Sequence, residues 1–233
     1  MLPFYLRHYR EVATKFFILD DSSNDGSTEY LRAQPDVELG SFHKDHDSLV
    51  LAAQRFYNEN WKQSRGAADW VIICNIDEHL YHPRLADYLA TEKSRGVTVI
   101  PAKGFQMITE DFPAAHERLS ETRRRGMPWA KMDKLSIFDP NAIDEIAYTV
   151  GRHTAAPRGR VLAPSTLEMK LLHYKYLGLE YLVRRLAELR TGLRAQDIAN
   201  RWGHKYLWST AEVERDFATV RSNAIDVMTA DGG

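Results

Sequence analysis

Two acidic clusters are the segments of this chain best suited to do chemistry. Asp20-Asp21-Ser22-Ser23-Asn24-Asp25-Gly26-Ser27 is a polar loop directly after the apolar run Phe16-Phe17-Ile18-Leu19. Asn75-Ile76-Asp77-Glu78 directly follows Trp70-Val71-Ile72-Ile73-Cys74. Carboxylates so placed are hard oxygen donors. They suit Mg²⁺ or Mn²⁺ and, through the cation, a diphosphate. In an extended chain residues i and i+2 point to one side. Asn75 and Asp77 would then share a face, with Asp77 on the metal and Asn75 on a ribose hydroxyl. Glu78 would project away, toward a supporting contact. In the first cluster Asp20 or Asp21 would hydrogen-bond a nucleobase or ribose, while Asp25 mainly shapes the loop. Taken singly, each cluster also reads as ordinary turn and helix-cap chemistry.

Both clusters need a scaffold that presents strand ends. Phe16–Leu19 and Trp70–Cys74 are short apolar runs bounded by turn residues, the pattern of buried strands. Val37, Leu39 and Phe42 mark a further strand, and Val97–Ile100, Lys134–Phe138, Tyr148–Val150 and Leu167–Tyr174 mark others. Between them lie helical spacings. Leu2, Tyr5, Leu6, Tyr9 and Val12 open the chain; Leu49, Val50, Ala53, Phe56 and Tyr57 follow at i, i+1, i+4, i+7 and i+8; another helix spans about Arg84 to Lys93. Pro35 ends the helix that follows the first acidic loop. The C-terminal third is helical, with Leu179, Leu182, Val183, Leu186 and Leu189 on one face and a capping box formed by Ser209 and Glu212. Strands alternating with helices predict an α/β fold with a mainly parallel sheet covered on both faces, where ligands gather at the carboxyl ends of strands. Thr109 to Met132 has no clean period and holds Arg123-Arg124-Arg125, a run that reads first as a solvated face. One domain is expected: a nucleotide-binding half over 1–100, an acceptor and metal half over 101–175, and a helical extension over 176–233.

Composition narrows the classes. The 233 residues are 44% apolar and 27% charged, with a formal net charge of −1. No global field draws such a chain to nucleic acid or an anionic membrane. The single cysteine, Cys74, rules out an intrachain disulfide and fits a reducing compartment. Pro3, Arg7, His8 and Arg10 interrupt any signal-peptide core. A cytoplasmic protein is expected, with any membrane contact peripheral.

Taken in order, the motifs resemble the glycosyltransferase family 2-like proteins and their relatives with a GT-A fold. Leu2-Pro3-Phe4-Tyr5-Leu6-Arg7-His8-Tyr9 is similar to the family's L-P-x-x-L-x-H-Y helix. Phe17 to Ser27 resembles its D-x-S-x-D-G-T nucleotide loop, with Ser23 at the serine. Trp70 to His79 resembles its D-x-D-E-F metal segment, with Asn75 in place of the first aspartate. Lys134–Phe138, Gly151-Arg152-His153 and Leu171-Leu172-His173-Tyr174 continue the likeness, which covers about three quarters of the chain.

The resemblance implies a nucleotide-sugar donor, a UDP-sugar by preference, and a glycan or lipid-linked acceptor. It also implies Mn²⁺ or Mg²⁺ and an inverting transfer. Asp20, Asp21, Asp25 and Asn75 would serve the nucleotide. Asp77 would hold the metal, with His153 or His173 as the late histidine that completes such sites. Asp111, in Thr109-Glu110-Asp111, resembles the motif that presents the catalytic base, and Asp133 is its rival. The family also carries a strand before the Leu-Pro helix, so the Phe16–Leu19 and Trp70–Cys74 strands are expected to flank its place. Pairing with a second copy through open strand edges is a further expectation. A non-catalytic nucleotide-sugar or glycan-binding module is the alternative, favoured by Asn75. A nucleotidyltransferase would normally show a Gly-rich phosphate loop with a basic residue near the N-terminus, and none is present.

Overall fold

The computed structural model describes residues 1–42 and 48–229. It is mixed α/β. The chain opens on helix α1 (Leu2–Tyr9), with Pro3 in its first turn, where a missing N–H costs nothing. Strand β1 (Phe16–Asp20), helix α2 (Ser27–Arg32) and strand β2 (Val37–Ser41) follow. β1 and β2 pair in parallel, Phe16 opposite Val37, and form a separate two-stranded sheet. Helix α3 (Leu49–Glu59) begins at Ser48, whose side chain accepts from the Leu51 amide.

A second, seven-stranded sheet forms the centre. It is built from β3 (Val71–Ile72), β4 (Glu78–Tyr81), β5 (Val99–Thr109), β6 (Arg125–Pro128), β7 (Lys134–Phe138), β10 (Lys170–Leu177) and β11 (Ile225–Asp226). Helix α4 (Leu85–Ser94) lies between β4 and β5, and the short α5 (Leu119–Thr122) precedes β6. The hairpin β8 (Ile143–Glu145) and β9 (Arg158–Gly159) stands apart. Helices α6 (Leu179–Gly192), α7 (Ala195–Ala199) and α8 (Thr210–Ser222) complete the chain, and Ser209 and Glu212 form the expected capping box on α8.

The central sheet is mixed, which corrects the expectation of a mainly parallel one. β10 runs parallel to β5 but antiparallel to β4, and the pairs β5–β6, β5–β7, β3–β7 and β6–β11 are all antiparallel. Strand–helix alternation runs as far as β5 except at β3 and β4, which follow one another directly. From β5 to β9 the connections are loops and single helical turns, and the pairs joined that way, β5–β6 and β8–β9, are antiparallel, while α6, α7 and α8 carry the chain from β10 to β11. The Trp70–Cys74 run is also shorter as a strand than its sequence suggests, and Tyr148 makes a single bridge to Ala155 rather than a strand.

β5 and β10 hold the core. Ile100, Met107, Leu171, Leu172 and Tyr174 are fully or almost fully buried. Gly104 in β5 marks a close crossing. A Cβ there would stand 2.3 Å from the Met132 backbone, so only glycine lets the 129–133 loop pack on the strand. Among the described residues, no helix is long and apolar enough to cross a membrane.

Candidate functional site

The second acidic cluster is a turn rather than an extended run. β3 ends at Ile72, and the Ile73 amide still reaches the Ser136 carbonyl at 2.9 Å. The chain then folds back, with the Glu78 amide donating to the Asn75 carbonyl at 3.0 Å. Asn75 and Asp77 therefore do not share a strand face. Asn75 is exposed, its Oδ1 accepting from the Tyr57 hydroxyl at 2.8 Å. The Asp77 carbonyl accepts from the Tyr174 amide at 2.7 Å, which ties the turn to β10.

Glu78 builds this turn. Its carboxylate accepts from the Asn75 amide and side-chain Nδ2, each at 3.2 Å. It also takes Lys134 Nζ at 2.7 Å and the Arg152 guanidinium. All three charged groups are buried. Burial alone would raise the Glu78 pKa, but Arg152 and Lys134 hold it at about 2. Arg152 donates through Nη1 to the Ile73 carbonyl at 2.5 Å and stacks over the Tyr57 ring at 4.8 Å. It adopts φ +58°, a left-handed backbone that costs an L residue about 1–2 kcal/mol. Glu78 thus does more than lend support from behind. It positions Asn75 and Asp77.

Asp77 meets His173. Its Oδ2 lies 3.4 Å from His173 Nε2, and both side chains are largely shielded. Burial would raise the Asp77 pKa, yet His173, Lys175 and Arg185 outweigh it and keep the carboxyl well below the usual range. The tautomer of His173 follows from Gln106. The Gln106 Nε2 donates to the His173 carbonyl at 2.9 Å and the Met107 carbonyl at 3.2 Å, so its Oε1 faces His173 Nδ1 at 2.7 Å. Nδ1 must then carry the proton it donates. Nε2 turns its lone pair, or a second proton, toward Asp77. This carboxamide–imidazole–carboxylate chain crosses from β5 to β10 to the 75–78 turn. Sequence reading missed Gln106, because a lone glutamine in an apolar strand carries no motif.

The other candidates lie as follows. Asp20 is the last residue of β1, its Oδ2 accepting the Ser23 amide at 3.0 Å, and Asp21 is exposed beside it. Asp25 Oδ1 accepts the Ser27 amide at 3.1 Å, which fits its loop-shaping role. His153 is exposed, and its Nδ1 lies 2.8 Å from the Lys131 carbonyl, a contact separate from the Asp77–His173 pair. Asp111 is exposed and pairs with Arg123 at 3.3 Å. Asp133 Oδ1 accepts the Gly104 amide at 2.7 Å and closes the 129–133 loop on β5. The arginine run is engaged: Arg123 with Glu117, Arg124 with Asp226, and Arg125 with the Ala224 carbonyl.

An aromatic and cationic rim adjoins the pair. Trp129 lies 5.9 Å from the His173 ring. Lys205 sits over Trp129 at 5.4 Å and Trp208 at 4.7 Å, and Lys175 over Tyr206 at 4.9 Å. Among the described residues, no group of three or more His, Cys, Asp or Glu side chains stands ready to hold a metal. Asp77 and His173 offer one carboxylate and one imidazole donor. That set fits a cation completed by phosphate oxygens and water rather than a cage made of protein alone.

Comparison with known proteins finds no family model that matches the chain and no curated protein that matches it. Function has to be read from the side chains.

Proposed function

We propose that the protein is a GT-A-like glycosyltransferase that moves a sugar from a nucleoside-diphosphate donor, by preference a UDP-sugar, to a hydroxyl of a glycan or lipid-linked acceptor. The observation that carries this reading is Asp77. It is a shielded yet ionised carboxylate on a turn clamped by Glu78, and it faces an imidazole of fixed tautomer. Lys175 and Arg185 act on it as nearby positive charges.

Asp77 and His173 would hold Mn²⁺ or Mg²⁺, whose contribution is to neutralise the diphosphate leaving group. Lys175 and Arg185 would bring further positive charge to the same oxygens. Asn75, Asp20 and Asp21 would hold the ribose and base, with Asp25 shaping their loop. Trp129, Tyr206 and Trp208 give the acceptor flat apolar faces. The base is Asp111 or Asp133, each of which must leave its present partner to take a proton. A non-catalytic nucleotide-sugar module is the second reading. It is favoured by Asn75 at a position where a carboxylate would bind metal more strongly, and by the prior engagement of both candidate bases.

UDP release from UDP-glucose, UDP-galactose and UDP-N-acetylglucosamine, in Mn²⁺ and in EDTA, tests the proposal. Mn²⁺-dependent release is expected with at least one donor. It should fall by roughly 10²–10⁴-fold in either Asp111→Asn or Asp133→Asn, the size of a general-base contribution. Donor binding with no release from any of the three would favour the binding module.

A further inference from the structure

A cavity of about 550 Å³, within the size range of small-molecule sites, is walled by α1, by β4 with the residues just after it, and by α5. Residues directly opposite each other on paired strands share a face, and successive residues alternate between faces. Glu78 is opposite His173, and His79 is opposite Leu172. Glu78 and His173 therefore lie on one face of the β4–β10 pair. His79, which lines the cavity, lies on the other. The cavity is thus a separate place from the Asp77–His173 pair.

Among the described residues, the charges around this cavity are paired except at one point. Glu11 and Glu121 both reach Arg118, Arg124 pairs with Asp226, Glu117 with Arg123, and His82 faces Glu168. Arg7 has no carboxylate partner among the described residues. Its Nη1 and Nη2 donate to the Glu117 and Ala115 carbonyls, each at 2.7 Å, and the Phe4 ring lies 6.0 Å away. The two carbonyls fix the guanidinium without balancing its charge, and its remaining N–H groups stay available to an anion.

Two imidazoles in the same wall offer the opposite chemistry. The His8 and His79 rings stack at 4.6 Å. His8 Nε2 lies 2.8 Å from the Leu80 carbonyl and must carry the proton it donates, which leaves Nδ1 as an acceptor. The His79 ring hydrogen-bonds to the Ile76 carbonyl. Its Nε2 is buried with no partner among the described residues, so Nδ1 is the donor and Nε2 holds a lone pair. A buried polar atom left in this state calls for a donor. An anion alone does not supply one. Hydroxyl groups do, and Tyr81, on the same strand face as His79, adds a flat ring to the wall.

We propose that this cavity binds a small hydroxylated anion: a molecule of monosaccharide size whose carboxylate or phosphate meets Arg7 and whose hydroxyls donate to His8 Nδ1 and His79 Nε2. Titration calorimetry of glucuronate, glucose 6-phosphate, glucose and inorganic phosphate into the protein tests it. At least one of the two sugar anions should bind with a Kd below about 1 mM, and glucose and inorganic phosphate roughly 10-fold more weakly or worse. Which sugar anion binds tells carboxylate from phosphate. Arg7→Gln should weaken that binding by roughly 10-fold or more, the loss of a charge-assisted hydrogen bond. His8→Gln, which keeps a donor for Leu80 and drops the Nδ1 acceptor, should weaken it as well. In the unaltered protein, nuclear magnetic resonance should show the His8 and His79 ring signals shifting on binding while those of His173 stay in place. The ligand series and the ring shifts need no variant, so they decide even where a substitution impairs folding. Binding of neither sugar anion, equal binding of glucose, full affinity in a folded Arg7→Gln, or shifts at His173 without shifts at His8 would each overturn the proposal.

Discussion

At the scale of single residues, the geometry around Asp77 and His173 is set by the side chains behind them. Gln106 fixes which nitrogen of His173 faces Asp77. Partners that orient a metal-binding histidine typically matter 10–100-fold for affinity. Gln106→Leu should therefore weaken Mn²⁺ binding in the presence of UDP by roughly that factor, as read by electron paramagnetic resonance of free Mn²⁺. An unchanged affinity would remove Gln106 from the site. Glu78→Gln is expected to act on stability. It leaves Arg152 and Lys134 buried without their counter-charge, and breaking a buried ion pair in this way costs about 3–5 kcal/mol. Urea unfolding measures it, and a loss under about 1 kcal/mol would mean that water already reaches the cluster.

At the scale of elements, Asp197 is the clearest joint. Wholly buried at the start of α7, it accepts from the Ser48 hydroxyl and the Leu49, Val50 and Arg194 amides, tying α3 to α7. Burial would raise its pKa, but these donors more than compensate and lower it. A depressed folded-state pKa means stability that is present above the ordinary aspartate range, near pH 4, and lost as pH falls through the lower folded value. Asp197→Asn should cost about 1–3 kcal/mol at pH 7 and flatten that acid limb. An acid limb of unchanged steepness in the variant would show that other carboxylates set it.

The same scale shows what could be read from the sequence. α3, α4 and α8 were legible because their apolar spacing and caps are local. β1, β2, β5, β7 and β10 were legible as apolar runs. Strand direction was not, since β5 meets β6 and β7 antiparallel through loops whose geometry no periodicity reports. β4 was hidden because it begins Glu78-His79, two polar residues that only a buried ion cluster and a ring stack with His8 make at home inside a protein. Within the candidate site, Asp77 and His173 were legible as types near strand runs. Their meeting depends on β10 lying beside β4, a long-range pairing.

At the scale of the whole molecule, long-range pairings assemble the candidate site. The β4–β10–β5 ladder aligns the 75–78 turn, His173 and Gln106. The helical C-terminal segment brings Arg185, Lys205, Tyr206 and Trp208 toward it. If this site binds a nucleoside diphosphate through a cation, the diphosphate and Asp77 repel each other until the metal lies between them. Binding of UDP must then depend on metal, and the dependence must run through Asp77. Titration calorimetry of UDP into the protein, in Mn²⁺ and in EDTA, reads this directly. At least a 10-fold tighter affinity in Mn²⁺ is expected, with the difference abolished in Asp77→Ala. Equal affinity with and without metal, or a metal effect that survives in Asp77→Ala, would contradict the account.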